Sequence, residues 1–107
     1  MDEKIAQEIE SALRKLPKSV RFKRGKSFFV IKRLGTLGTG TLKWHEVAVI
    51  RLGKRNVIQI ARPHDLTTKT LMEMVAGQIK SVKFTIIEVK DRHGPRIDNS
   101  NFPDIKL

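Results

Sequence analysis

Cysteine is absent from the 107 residues. That excludes disulfides, thiolate nucleophiles and cysteine-based zinc sites together. No apolar run approaches the roughly 20 residues that span a bilayer. The opening residues, Met1-Asp2-Glu3-Lys4, are acidic and polar, unlike the basic and then apolar start of a secretory signal. An intracellular, cytoplasmic protein that stays off membranes is the expectation. The lack of cysteine, the scarcity of Asn and Gln, and the many Lys, Arg and Ile match the bias of thermophile proteins. One further absence is local. Between Ser11 and His45 there is not one Asp or Glu.

That acid-free stretch is also where the cations concentrate. It holds ten Lys or Arg, while the whole chain carries a formal net charge of +11. Four of the six aromatic residues fall inside it: Phe22, Phe28, Phe29 and Trp44. Clustered charge of one sign specifies partners rather than fold, and an acidic polymer is the natural partner here. Interleaved aromatics favour a polymer with flat bases to stack on.

Length and a charged fraction of 31% indicate a single globular domain. Ile5, Ile9, Ala12, Leu13 and Leu16 form one apolar stripe, which predicts a helix over 3–16 that Pro17 ends. Strands are predicted at 27–34, 41–52, 57–61 and 83–90. A short one at 19–23 follows from the alternation of Val20 and Phe22 with Arg21 and Lys23. A second helix is predicted over about 68–81, N-capped from Asp65-Leu66-Thr67-Thr68, with Leu71, Met74, Val75, Ile79 and Val82 as its stripe, widened by Met72 and Ala76. Gly77 either costs that helix about 1 kcal/mol against Ala or marks a close-packing point against the sheet. The last stretch, 91–107, reads as a tail with apolar residues to bury.

The fold class expected is therefore α+β, in the order α-β-β-β-α-β. Its sheet has four mostly antiparallel strands, five if 19–23 joins, with two helices packed on one face. Several strands are apolar at consecutive positions, so both faces of the sheet are to be covered at least in part. The second face would then meet the tail, a second subunit or a ligand, and a homodimer is one such arrangement.

Candidate contact residues follow from the basic block. Phosphates need Lys or Arg along a groove, and Lys18, Arg21, Lys23, Arg24, Lys26, Lys32, Arg33, Lys43 and Arg51 are positioned in sequence to supply them. Phe22, set among Arg21, Lys23 and Arg24, is the aromatic expected to be exposed. Phe28 and Phe29 must point to opposite faces, so only one of them can stack on a base. Trp44, between Lys43 and His45, is the other stacking candidate. Gly35-Thr36-Leu37-Gly38-Thr39-Gly40 is an uncharged hairpin connection that a flap would suit. No Gly-Lys-Ser/Thr follows it, so it is not a P-loop. Arg92-His93-Gly94-Pro95-Arg96 is a second, smaller basic patch.

Catalysis has little support. His45, His64 and His93 sit in separate elements without metal spacing, and no metal or other cofactor is expected. A small metal-dependent nuclease would need a convergence such as Glu46, Glu88 and Asp91. The leading expectation is a non-enzymatic protein that binds single-stranded DNA or RNA with little sequence preference. No helix carries the basic face of a major-groove reader. The alternative is a basic interaction subunit of a ribonucleoprotein or regulatory complex.

Overall fold

A computed structural model describes residues 2–36 and 40–88. The elements are α1 (Glu3–Arg14), β1 (Val20–Arg24), β2 (Phe28–Gly35), β3 (Lys43–Arg51), β4 (Val57–Ile60), α2 (Leu66–Gln78) and β5 (Thr85–Glu88). They form one α+β domain, and the segment 19–23 joins as a fifth strand displaced by one residue. The tail at 91–107, its basic patch, the end of the predicted strand at 89–90 and the flap tip at 37–39 lie outside the described residues.

The sheet order is β1-β2-β3-β4-β5. The first four strands form an antiparallel meander, and β5 pairs parallel to β4 through α2, as short turns and one helical crossover dictate. Asp2 caps α1 by accepting the Lys4 N–H at 2.9 Å. Asp65 caps α2, so that helix begins at Leu66, earlier than the sequence pattern indicates.

Ala6, Ile9, Ala12 and Leu13 of α1, with Met72, Val75 and Ile79 at the C-terminal side, bury one sheet face. That face presents Phe29 and Ile31, Val47, Ala48 and Ile50, and Ile58 and Ile60. The buried stripe of α2 runs through Thr68, Met72 and Val75. Met74, expected in the stripe, is 52% exposed because it lies a quarter-turn or more from that line. Of the two readings of Gly77, close packing is excluded, since the residue is exposed and a Cβ there meets nothing.

Register assigns every strand residue to a face. One cross-strand row is Lys23–Val30–Val49–Gln59–Ile87, on the side away from the helices; the next is Phe22–Ile31–Ala48–Ile60–Glu88, on the helix side. Val30 and Val49 are 2% and 1% exposed yet stand outside the helix-side core, so burial occurs on both faces as the two-sided apolar strands require. Neither α1 nor α2 supplies it on the far face.

A bulge interrupts β2–β3. Ile31 pairs with Ala48 but Lys32 pairs with Glu46, leaving Val47 as the extra residue. Val47 and Ala48 therefore both enter the core, and the alternation of β3 reverses before them. Without the extra residue, Trp44 would share the helix side with Ala48 and Ile50. With it, Trp44 pairs with Leu34 and stands on the far face.

Candidate nucleic-acid interface

The residues nominated from the basic block divide by strand alternation. On the far face stand Arg21 and Lys23 of β1, Phe28 and Lys32 of β2, and Trp44 and Arg51 of β3. On the helix side stand Phe22, Arg24, Arg33 and Lys43. Lys18 precedes β1 and Lys26 sits in the β1–β2 turn, both exposed.

The expectation that Phe22 is exposed for stacking is corrected. Its ring is half-buried against the core, 6.2 Å from that of Phe29 and tilted to it by 56°. The reason lies in the alternation itself: Val20 and Phe22 share the face that the helices cover. Phe28 and Phe29 take opposite faces as expected, with Phe29 fully buried and Phe28 on the far side.

Three arginines of the block are committed to structure, the first being Arg14, whose Nη2 donates to Glu10 at 3.0 Å. Arg24 reaches α1, where Nη2 donates to Glu3 at 2.7 Å and Nη1 to Glu10 at 2.9 Å. The hydrogen bond from Arg24 holds the Glu3 carboxyl below its ordinary pKa, and Glu3 raises the guanidinium further above its own. Arg33 reaches the start of α2: Nη1 donates to Asp65 at 3.2 Å and to the Thr68 hydroxyl oxygen at 2.7 Å. Thr68 returns its hydroxyl and its N–H to Asp65, at 2.6 and 3.1 Å. Burial pushes the Asp65 pKa up, but these Thr68 bonds and the Arg33 charge outweigh it, and the net shift is downward.

On the far face, Arg51 Nε donates to the Gln59 side-chain oxygen at 3.4 Å. Arg21, Lys23 and Lys32 make no ion pair among the described residues. The one acid placed among them is Glu46, opposite Lys32 in the β2–β3 register. The Arg21 guanidinium lies over the Trp44 ring, 4.1 Å from its centroid, a cation–π contact that holds the indole on the β1 side of the sheet. At the other end of β1 the Phe28 ring lies over Gly25, so closely that a Cβ added there would collide with it. The turn is closed by the Gly25 N–H donating to the Phe28 carbonyl at 2.8 Å. Trp44 and Phe28 thus bracket Arg21 and Lys23 along one edge strand. Between Arg21 and Gly25 the chain spans about 13 Å at ~3.3 Å per residue.

Acids and histidines do not converge. Glu46 is on the far face, Glu88 is on the helix side with Lys69 Nζ 3.6 Å away, and Asp91 lies outside the described residues. Among the described residues, no three His, Asp or Glu side chains stand close enough together to hold a metal ion. His45 Nε2 lies 3.0 Å from the Gly35 carbonyl oxygen, and His64 has φ 62° in the turn before α2. No helix among the described residues is long and apolar enough to cross a membrane.

The site defined by this fold is a basic, aromatic-bracketed sheet face opposite a two-helix layer. The chain matches no protein-family model, no curated protein and no solved structure.

Proposed function

We propose that this protein binds single-stranded DNA or RNA without catalysis and with little sequence preference, along the far face of the sheet beside β1. The observation that carries the reading is the contrast within the basic block. Arg24 and Arg33 on the helix side are ion-paired, whereas Arg21, Lys23 and Lys32, between two aromatic rings, make no ion pair among the described residues and have one acid, Glu46, placed among them. Unpaired like charges on adjacent strands repel one another, a cost that an arriving phosphate chain removes. Strands with accessible bases suit the site, because the indole and phenyl groups offer π surfaces and not groove-reading hydrogen bonds.

Trp44 is the only tryptophan, so its fluorescence reports directly on the site. Titration with single-stranded oligonucleotides at two salt concentrations is expected to quench it, more weakly at the higher salt. Trp44→Ala, followed by fluorescence anisotropy of a labelled oligonucleotide, is expected to weaken binding by roughly 1–3 kcal/mol. Absence of binding at low salt, or binding indifferent to salt, refutes the reading.

A further inference from the structure

We infer that the nucleic-acid track does not end at Phe28 but turns across the end of the sheet, where Lys54 and Arg55 of the β3–β4 turn join Lys26 as phosphate contacts. The inference rests on the function proposed above and adds a second contact region outside the acid-free block.

Topology brings the two turns together. In an antiparallel meander the β1–β2 and β3–β4 connections leave the same end of the sheet. Here they are bonded directly, with the Leu52 N–H donating to the Ser27 carbonyl at 2.9 Å. Lys26 is one residue from that bond on one side, and Lys54 is two residues from it on the other. Lys26, Lys54 and Arg55 are all exposed, and none makes an ion pair among the described residues. Glu3 and Glu10 of α1 hold Arg24 on the helix side. Phe28 sits at the junction, its ring over Gly25 and its strand partner Arg51 leading into the β3–β4 turn. A strand that stacks on Phe28 therefore leaves the β1 track facing three uncompensated cations.

Length separates the two regions. At a stacked rise of ~3.4 Å, about four nucleotides cover the ~13 Å beside β1. A longer strand reaches the turns. The test compares oligothymidylates and oligouridylates of about four and about twelve nucleotides, within the range of single-strand site sizes, on the full chain. The double variant K54A/R55A lies in an exposed turn, and K4A/K15A, at exposed positions in and just after α1, removes the same charge elsewhere.

The expected result is that K54A/R55A changes affinity for the short oligonucleotides less than about twofold. For the long ones it weakens binding roughly tenfold at low salt and reduces the slope of log K against log salt by about 1.4, the value for two single-strand phosphate contacts. Equal loss at both lengths, no loss at the longer length, or an equal loss from K4A/K15A overturns the inference while leaving the β1 site standing. Failure of the unsubstituted protein to bind either polymer overturns both.

Discussion

Lys23 and Arg24 are neighbours in β1, yet the sheet sends them to different environments. Arg24 lies on the helix side and is held by two glutamates of α1. Lys23 lies on the far face, in a row with Val30 and Val49, and has no acidic partner among the described residues. The same division separates Arg33, bonded to Asp65 and Thr68, from Lys32 beside it. A basic run read along the chain is thus divided in space: Arg24 and Arg33 fasten helices to the sheet, while Lys23 and Lys32 face away from them. The aromatics divide in parallel, with Phe22 and Phe29 in the core and Phe28 and Trp44 on the far face.

The most severe way to separate the faces is through the adjacent phenylalanines. Phe29→Ala empties a fully buried site and is expected to cost about 3–5 kcal/mol in urea denaturation. Phe28→Ala is expected to cost only about 1 kcal/mol of stability, since its ring is partly exposed, while weakening oligonucleotide binding. Stability losses of equal size would erase the distinction between the two faces.

Next in size is the Arg33 network. Arg33→Leu removes charged hydrogen bonds at the cap of α2 and is expected to lower stability by about 1.5 kcal/mol, with oligonucleotide affinity unchanged. Asp65 adds a pH signature. Its folded pKa lies below the ordinary value, so the unfolded chain binds the proton more readily. The stabilisation is complete above the unfolded pKa and is lost as pH falls through the ordinary carboxylate value and on through the lower folded one. Acid titration of the thermal midpoint should therefore flatten in Asp65→Asn relative to the unsubstituted protein.

A finer comparison sets Lys23→Ala against Arg24→Ala. The first is expected to leave the thermal midpoint in place and to lower the single-strand salt slope by about 0.7. The second is expected to lower the midpoint, by releasing Glu3 and Glu10, and to leave the slope unchanged. Exchange of these two outcomes would place the binding surface on the wrong face.

The smallest effect tests α2 alone. Gly77 is exposed in the last turn with free space at its Cβ position, so Gly77→Ala is expected to stabilise the fold by about 0.5 kcal/mol in urea titration. Destabilisation would restore the close-packing role that its place in a helix first suggests.

Much of this fold is legible in the residues. The stripe Ile5, Ile9, Ala12, Leu13 and Leu16 announces α1, and Asp65 announces the cap of α2, because helical periodicity and capping are local properties. The alternation of Val20 and Phe22 with Arg21 and Lys23 already carries the signal that Phe22 turns inward. Its basic neighbours obscure that signal only when they are taken as sharing its face. The nearness of Lys54 and Arg55 to Lys26 is less legible, since it depends on which turns share an end of the sheet.

Alternation along a strand states that neighbours part company, and it assigns Lys23 and Arg24 to opposite sides from the sequence alone. Which side receives the helices is a non-local matter: α1 and α2 pack on the face that carries Phe29, Ile31, Ile50, Ile58 and Ile60, and Arg24 and Arg33 meet Glu3, Glu10 and Asp65 on that side. The placement of Trp44 lies further beyond the sequence. Four consecutive apolar residues, Val47 to Ile50, contain no mark of where an extra residue interrupts the ladder. The tertiary pairing of Ile31 with Ala48 and Lys32 with Glu46 puts the interruption at Val47. That one residue reverses the alternation of β3 and sets the indole under Arg21 on the face where Lys23 and Lys32 remain unpaired.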